Sequence, residues 1–239
     1  MIIIPARLNS SRFENKILVD IFGKPMVIAT ALAVKDIDEV VIATDSLEVI
    51  KLAKKYNIQA VMTDSSHQSG TDRINEVSSK LGLKDDEIIL NLQADEPFVE
   101  TDVIKAVLET TKKTVGKNNV LVSSCYKIVD SEMADDPNHV KVVLDENNMA
   151  IYFSRGKIPY NRDHHKGLEY KGHLGIYGFT AATLRKFCTI QNSSLENIEK
   201  LEQLRVIEAG YKISMTKVIS KSFGIDTKED LDMALKMFS

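Results

Sequence analysis

Tryptophan is absent from this 239-residue sequence, cysteine occurs twice and proline five times. Two cysteines, Cys125 and Cys188, are too few for a disulfide framework and share no metal-ligand spacing, so they read as reduced, buried thiols. No stretch approaches the roughly 18 apolar residues of a membrane span, and Met1-Ile2-Ile3-Ile4-Pro5 is too short for a secretion signal. The expectation is a cytoplasmic protein without a membrane partner. A net charge of -3 supplies no overall positive field, which argues against nucleic acid as a partner and requires any phosphate ligand to be held locally. No G-x-G-x-x-G follows the first apolar run and no Walker lysine motif occurs, so dinucleotide-binding and P-loop chemistry are not indicated.

What is present is enough apolar material, 44% of residues, for a sizeable core. Ile2-Ile3-Ile4 is short and uniformly β-branched, as in a strand covered on both faces. Further strands are expected at 39–44, 59–62 and 87–92, with helices at about 25–35, 46–56 and 72–80 between them. Such alternation predicts a parallel sheet with helices on both faces, and ligands beyond the carboxyl ends of its strands. From about Val120 the pattern turns to strand-like pieces, 120–128, 140–144 and 150–153, with turn formers between them. A helix over about 195–209, ending at Gly210, and a last helix over 227–237 capped by Thr227 complete the expectation.

Polar clusters fall where that sheet would present a ligand. Pro5-Ala6-Arg7, continuing through Arg12 to Lys16, offers three cations among small residues, a combination suited to a polyphosphate but shared with ordinary basic loops. His67-Gln68-Ser69-Gly70-Thr71-Asp72-Arg73 could present N–H groups to a base edge or an anion, or simply cap a helix. Asp95, ending a strand in Asn91-Leu92-Gln93-Ala94-Asp95-Glu96-Pro97, is a hard oxygen donor of the type Mg2+ takes beside phosphate, and Asp226 is its candidate partner. In the second half, Arg155, His173, Tyr177, Glu199 and Gln203 gather groups suited to a hydroxylated acid. On one continuous helix Glu199 and Gln203 would share a face.

Taken in order, these segments resemble the 3-deoxy-manno-octulosonate (Kdo) cytidylyltransferase family. The resemblance is carried by IPARLNSSRFENK, GKPM, ATD at 43–45, HQSGTDR, NLQADEP, HVKVVLD, YFSR followed by IPY, GHLGIYGF, LEQLR and GIDTKEDLD. It implies an α/β fold of the glycosyltransferase-A-like, nucleotide-diphospho-sugar transferase type. In that fold a mostly parallel central sheet carries helices on both faces and a smaller hairpin-rich dimerisation lobe. Residues 1–239 would form one nucleotidyltransferase domain, with about 120–190 contributing the inserted sugar-binding and dimerisation lobe. The implied reaction transfers CMP from CTP to the anomeric hydroxyl of Kdo, for lipopolysaccharide biosynthesis, with Mg2+ as cofactor and a homodimer as the assembly. Another acid sugar, such as 8-amino-Kdo or a sialic acid, or a non-catalytic nucleotide-binding module, are the alternatives.

Carried over residue by residue, the resemblance assigns Pro5, Ala6, Arg7, Arg12, Lys16, Gln68, Ser69 and Arg73 to the nucleotide, and Asp95 and Asp226 to the metal. Arg12, Lys16, Asp95 and Asp226 become the catalytic set, and Gln93, Arg155, His173, Tyr177, Glu199 and Gln203 the sugar-acid set. The chain departs from the family in having Phe13-Glu14-Asn15-Lys16-Ile17 where leucine-proline-glycine-lysine-proline is usual, and Gly172 where an arginine usually precedes the histidine. Asparagine tolerates the left-handed conformation, so Asn15 is expected to keep the turn that aims Lys16.

Overall fold

The computed structural model describes residues 1–8, 13 and 15–239. In chain order the elements are β1 (Ile2–Ala6), a 3-10 turn (Lys16–Leu18), β2 (Asp20–Ile21), β3 (Lys24–Pro25), α1 (Met26–Val34), β4 (Val40–Thr44), α2 (Leu47–Lys55) and β5 (Gln59–Met62). There follow α3 (Gly70–Lys80), β6 (Ile88–Asn91), α4 (Thr101–Thr114), β7 (Val120–Val129), α5 (Ser131–Asp135), β8 (Lys141–Leu144) and β9 (Ala150–Ser154). The chain closes with β10 (Tyr170–Thr180), α6 (Ala181–Thr189), α7 (Ser194–Glu199), α8 (Leu204–Glu208), β11 (Lys212–Lys217) and α9 (Lys228–Met237).

Alternation along β1 explains why the sheet is covered twice. Ile2 and Ile4 join one core cluster with Val27 of α1, Val49 of α2 and Ile104 of α4, while Ile3 joins the other with Ile74 of α3 and Leu184 of α6. Successive side chains of a strand point to opposite faces, so an uninterrupted apolar run requires helices on both sides. All three isoleucines are fully buried, and each contributes about 1.5–3 kcal/mol of transfer free energy.

The central sheet has the order β11-β7-β10-β6-β1-β4-β5. Strands β6, β1, β4 and β5 run parallel, as the alternation of strands and helices predicts. The antiparallel strand β10 enters between β6 and β7, and β11 lies parallel to β7. Residues 120–190 therefore supply two strands of the main sheet, and the β8–β9 hairpin hangs from β10.

Strand β10 has no counterpart in the sequence expectations because Gly172, Gly175 and Gly178 dilute its β-propensity. Gly178 has a packing reason: a β-carbon there would lie 1.9 Å from Thr111 Oγ1 and 2.6 Å from Ser123 Oγ, where α4 crosses the sheet. The continuous helix expected over 195–209 is instead two short helices. Lys200 adopts a left-handed conformation (φ 54°) that ends α7, and the chain re-enters a helix only at Leu204. Glu199 and Gln203 therefore do not share one helical face.

Candidate functional site

The sheet opens where β6 stops following β1. Pairing between them covers only Ile2 with Leu90 and Ile3 with Asn91. Beyond it, Pro5 has no N–H to leave unpaired. The strands diverge into a cleft of about 280 Å3 at the carboxyl edge of the parallel strands. Pro5, Ala6, Arg7, Lys16, Gln68, Ser69, Arg73, Gln93, Asp95 and Asp226 all line it. Ten of the residues singled out from the sequence thus converge, from five separate segments of chain. Arg12 lies outside the described residues.

Lys16 is aimed by the turn before it. Asn15 takes the left-handed conformation (φ 53°, ψ 27°), as expected of the residue standing in place of glycine. The Lys16 ammonium is largely buried and donates to Asp95 Oδ2 at 2.5 Å and to Asp226 Oδ1 at 2.8 Å. Burial by itself lowers the Lys16 pKa, but the fields and hydrogen bonds of the two carboxylates outweigh it and hold the ammonium raised. The two carboxylates, 131 positions apart in sequence, are tied through backbone as well, since Ile225 N–H donates to the Asp95 carbonyl at 3.0 Å. Thr227, not Asp226, caps α9, in a reciprocal box with Asp230. Asp226 is thereby left facing the cleft.

Beside Asp95, Glu96 is buried, and its Oε2 has no hydrogen-bond partner among the described residues. Burial chiefly, reinforced by the neighbouring charge of Asp95, pushes the Glu96 pKa up to about 8 despite the opposing influence of Lys127. Glu96 stood in the sequence cluster without a role. Its burial next to a strand end carried no signal in one dimension.

The His67–Arg73 segment serves both readings open to it. Ser69 Oγ accepts from Asp72 N–H at 3.1 Å and caps α3, whose first turn faces the cleft. Gly70 sits tightly against Pro5, where a β-carbon would come within 3.1 Å of the proline ring. Arg73 is buried, with its guanidinium committed to Asp45 at 2.8 Å and to Thr63. Gln68 Nε2 donates to the Ser66 carbonyl at 2.8 Å. His67 also lines the cleft and meets Glu76 Oε2 at 2.5 Å.

Of the sugar-acid candidates only Gln93 lines this cleft. The other five form a row leading away from it. Gln93 Nε2 donates to Asn91 Oδ1 at 3.2 Å, and Asn91 pairs across the sheet with Tyr177. Tyr177 O–H donates to Gln203 Oε1 at 3.1 Å, and its ring lies 5.5 Å from that of His173. His173 meets Phe153 edge-on at 4.9 Å. Next to Phe153, Ser154 Oγ donates to Glu199 Oε1 at 2.6 Å. Arg155 donates through N–H and Nε to Glu199 Oε2 and the Glu199 carbonyl, at 2.9 and 2.8 Å. Glu199 and Gln203 thus reach the row through different partners. Sequence reasoning missed Ser124 and the Thr71–Glu202 bond of 2.7 Å; only a serine pair within the apolar run 120–129 hinted at the former.

The arrangement can hold an anion against Arg7, Lys16 and the start of α3, and a hard cation against Asp95 and Asp226. The bridging ammonium marks a point where both carboxylates reach one positive charge, and two carboxylates suit Mg2+ when phosphate and water complete its shell. Among the described residues no group of three or more His, Cys, Asp or Glu side chains is placed to hold a metal without such help.

A cytidylyltransferase family model matches residues 1–213. A 3-deoxy-manno-octulosonate cytidylyltransferase of Nitratiruptor sp. is 54% identical, over 97% of this chain and 96% of its own. The protein of the same name from Wolinella succinogenes is 48% identical over 100% of this chain and 99% of its own. The solved structure of a CMP:2-keto-3-deoxy-manno-octonic acid synthetase complexed with CTP superposes with a TM-score of 0.88 at 36% identity, covering 99% of this chain and 96% of that one. Full-length similarity of this degree, on a chain that folds its motif residues into one cleft, makes it a member of the cytidylyltransferase family, grouped with the 3-deoxy-manno-octulosonate enzymes.

Proposed function

We propose that this protein transfers CMP from CTP to the anomeric hydroxyl of 3-deoxy-D-manno-octulosonate, releasing pyrophosphate, and that it works in the cytoplasm as a homodimer. The observation that carries the reading is the Asp95–Lys16–Asp226 bridge at the mouth of a cleft lined by Arg7 and the start of α3. Binding a sugar acid alone would not need two carboxylates gathered beside phosphate-binding cations.

In this reading Arg7 and Lys16 hold the triphosphate, and Arg12, which lies between them in sequence, is assigned to it as well. Lys16 leaves the carboxylates for the phosphates when CTP enters, because a triphosphate carries more negative charge than the pair it replaces. The ammonium then offsets charge that builds on the departing pyrophosphate. Asp95 and Asp226, freed of the ammonium, would hold Mg2+. Held by those two carboxylates, Mg2+ would supply positive charge against the triphosphate and lower the pKa of the attacking hydroxyl. Ser69, Gln68 and the first turn of α3 face the cytosine side, and Arg73, fixed by Asp45, keeps that wall rigid. Gln93 stands between the nucleotide cleft and the row formed by Tyr177, Gln203, His173, Arg155 and Glu199, which holds the sugar acid.

Residues 120–190 carry Arg155, His173 and Tyr177 of that row and, in this proposal, the dimer contact. Ile151 (55% exposed) and Tyr160 (83% exposed) support the second role, as large apolar side chains on the surface of this region.

Incubation with CTP, Mg2+ and a panel of sugar acids, followed by mass analysis, tests the reading. CMP-Kdo and one pyrophosphate per turnover are expected. CTP binding without pyrophosphate release would show a non-catalytic module, and preference for an 8-amino or sialic acid would reassign the acceptor.

A further inference from the structure

A bulge in β10 lies beside the sugar-acid row, and one serine closes it. Pairing between β10 and β7 joins His173 to Tyr126 and Leu174 to Cys125, then resumes at Gly178 with Ser123. Gly175, Ile176 and Tyr177 are thus opposed by Ser124 alone. Bulges re-aim side chains and leave backbone groups without their ladder partners. Here the fully buried Ser124 hydroxyl lies 2.8 Å from the Ile176 carbonyl oxygen, 3.2 Å from that of Leu174 and 2.9 Å from His173 Nε2.

These contacts decide where the protons are. A carbonyl oxygen only accepts, and a hydroxyl has one proton to give. The 2.8 Å approach of two oxygens therefore commits the Ser124 proton to Ile176, and Ser124 can only accept from the imidazole. Nε2 of His173 must carry the hydrogen. Burial pushes the His173 pKa down to about 3, so near neutrality the ring holds one proton and Nδ1 is the bare nitrogen. On the strand face shared by His173 and Tyr177, a β-carbon at Gly175 would meet nothing within 4 Å, which leaves a notch over that glycine, beside the two rings.

We propose that Ser124 is a positioning residue that locks His173 in the Nε2–H tautomer, so that Nδ1 accepts a hydrogen bond from a hydroxyl of a polyhydroxylated acid seated at the Gly175 notch. This rests on the functional reading above, in which His173 faces the sugar acid. The chemistry selects a hydroxyl donor at that position: a carboxylate or ketone oxygen would oppose the Nδ1 lone pair.

Long-range 1H–15N correlation NMR on the nucleotide-free protein reads the tautomer directly. The wild type should show His173 as the Nε2–H form, and Ser124→Ala should lose that preference. The same variant should raise KM for Kdo roughly three- to tenfold, the size of one hydrogen bond, with KM for CTP unchanged. Ser124→Thr, which keeps the hydroxyl, should restore both. An Nδ1–H wild type overturns the proposal, and this measurement decides alone if Ser124→Ala does not fold. A folded Ser124→Ala with an altered tautomer and an unaltered KM for Kdo overturns it as well. A wild type with the expected tautomer but no CMP transfer to any sugar acid removes the functional reading and, with it, the substrate half of the proposal, leaving the tautomer standing.

Discussion

Lys16 is the residue on which the site turns, because its ammonium stands where two carboxylates meet. A divalent cation bound by Asp95 and Asp226 must compete with it. Lys16→Met should therefore tighten Mn2+ binding to the nucleotide-free protein, followed by EPR of the free ion, while lowering turnover. Weaker Mn2+ binding in the folded variant would show that these carboxylates are not the metal ligands. Asp95→Asn keeps the size of the side chain and removes its charge. Turnover should drop at least about 100-fold, the cost of one preorganised electrostatic group, with the melting curve retained. Near-normal rates at limiting Mg2+ would contradict the assignment.

Among the elements, α3 and the loop before it connect stability to the site. Glu76, on α3, accepts from Asp64 N–H at 2.9 Å, meets His67 Nε2 at 2.5 Å and pairs with Lys80 at 2.6 Å. Burial alone would raise its pKa, but the bonds from Lys80, Asp64 and His67 outweigh that and pull it down to about 2 from 4.5. A carboxylate whose folded pKa lies below its unfolded one stabilises fully above the unfolded value and loses that contribution as pH falls through the folded one. Glu76→Gln should lower the melting temperature at neutral pH and flatten its dependence on pH between 4.5 and about 2. A calorimetric series in which both proteins keep the same slope would refute this. The loop it anchors carries His67 and Gln68 to the cleft, so KM for CTP should rise as well.

On the scale of the whole molecule, the cleft proposed for the nucleotide belongs to the parallel half of the sheet, and the row proposed for the sugar acid runs over the antiparallel strand beside it. The two proposed subsites thus meet at β6, which has β1 on one side and β10 on the other. The proposed dimer contact lies on the region that supplies β10. Sedimentation should give twice the mass of one chain, and Ile151→Glu should shift the protein toward the monomer. A wild type that sediments as a monomer across a wide concentration range would end the dimer proposal.

The residue order of the chain was sufficient to locate the parallel strands, the helices after β1 and β4, and ten of the residues that line the cleft. Those features rest on local rules: apolar β-branched runs, serine and threonine caps, and polar clusters directly after buried strands. Asn15 could even be expected to replace a glycine, because left-handed tolerance is a property of the residue itself. Tertiary structure alone decided that β10 is a strand despite three glycines, that Lys200 divides the helix between Glu199 and Gln203, and that Asp95 meets Asp226 across one ammonium. It also brought His173 to a serine 49 residues away in sequence, the contact on which the proposed tautomer rests. Contacts between segments so distant leave no periodicity to read, since they form only when the sheet has set its order.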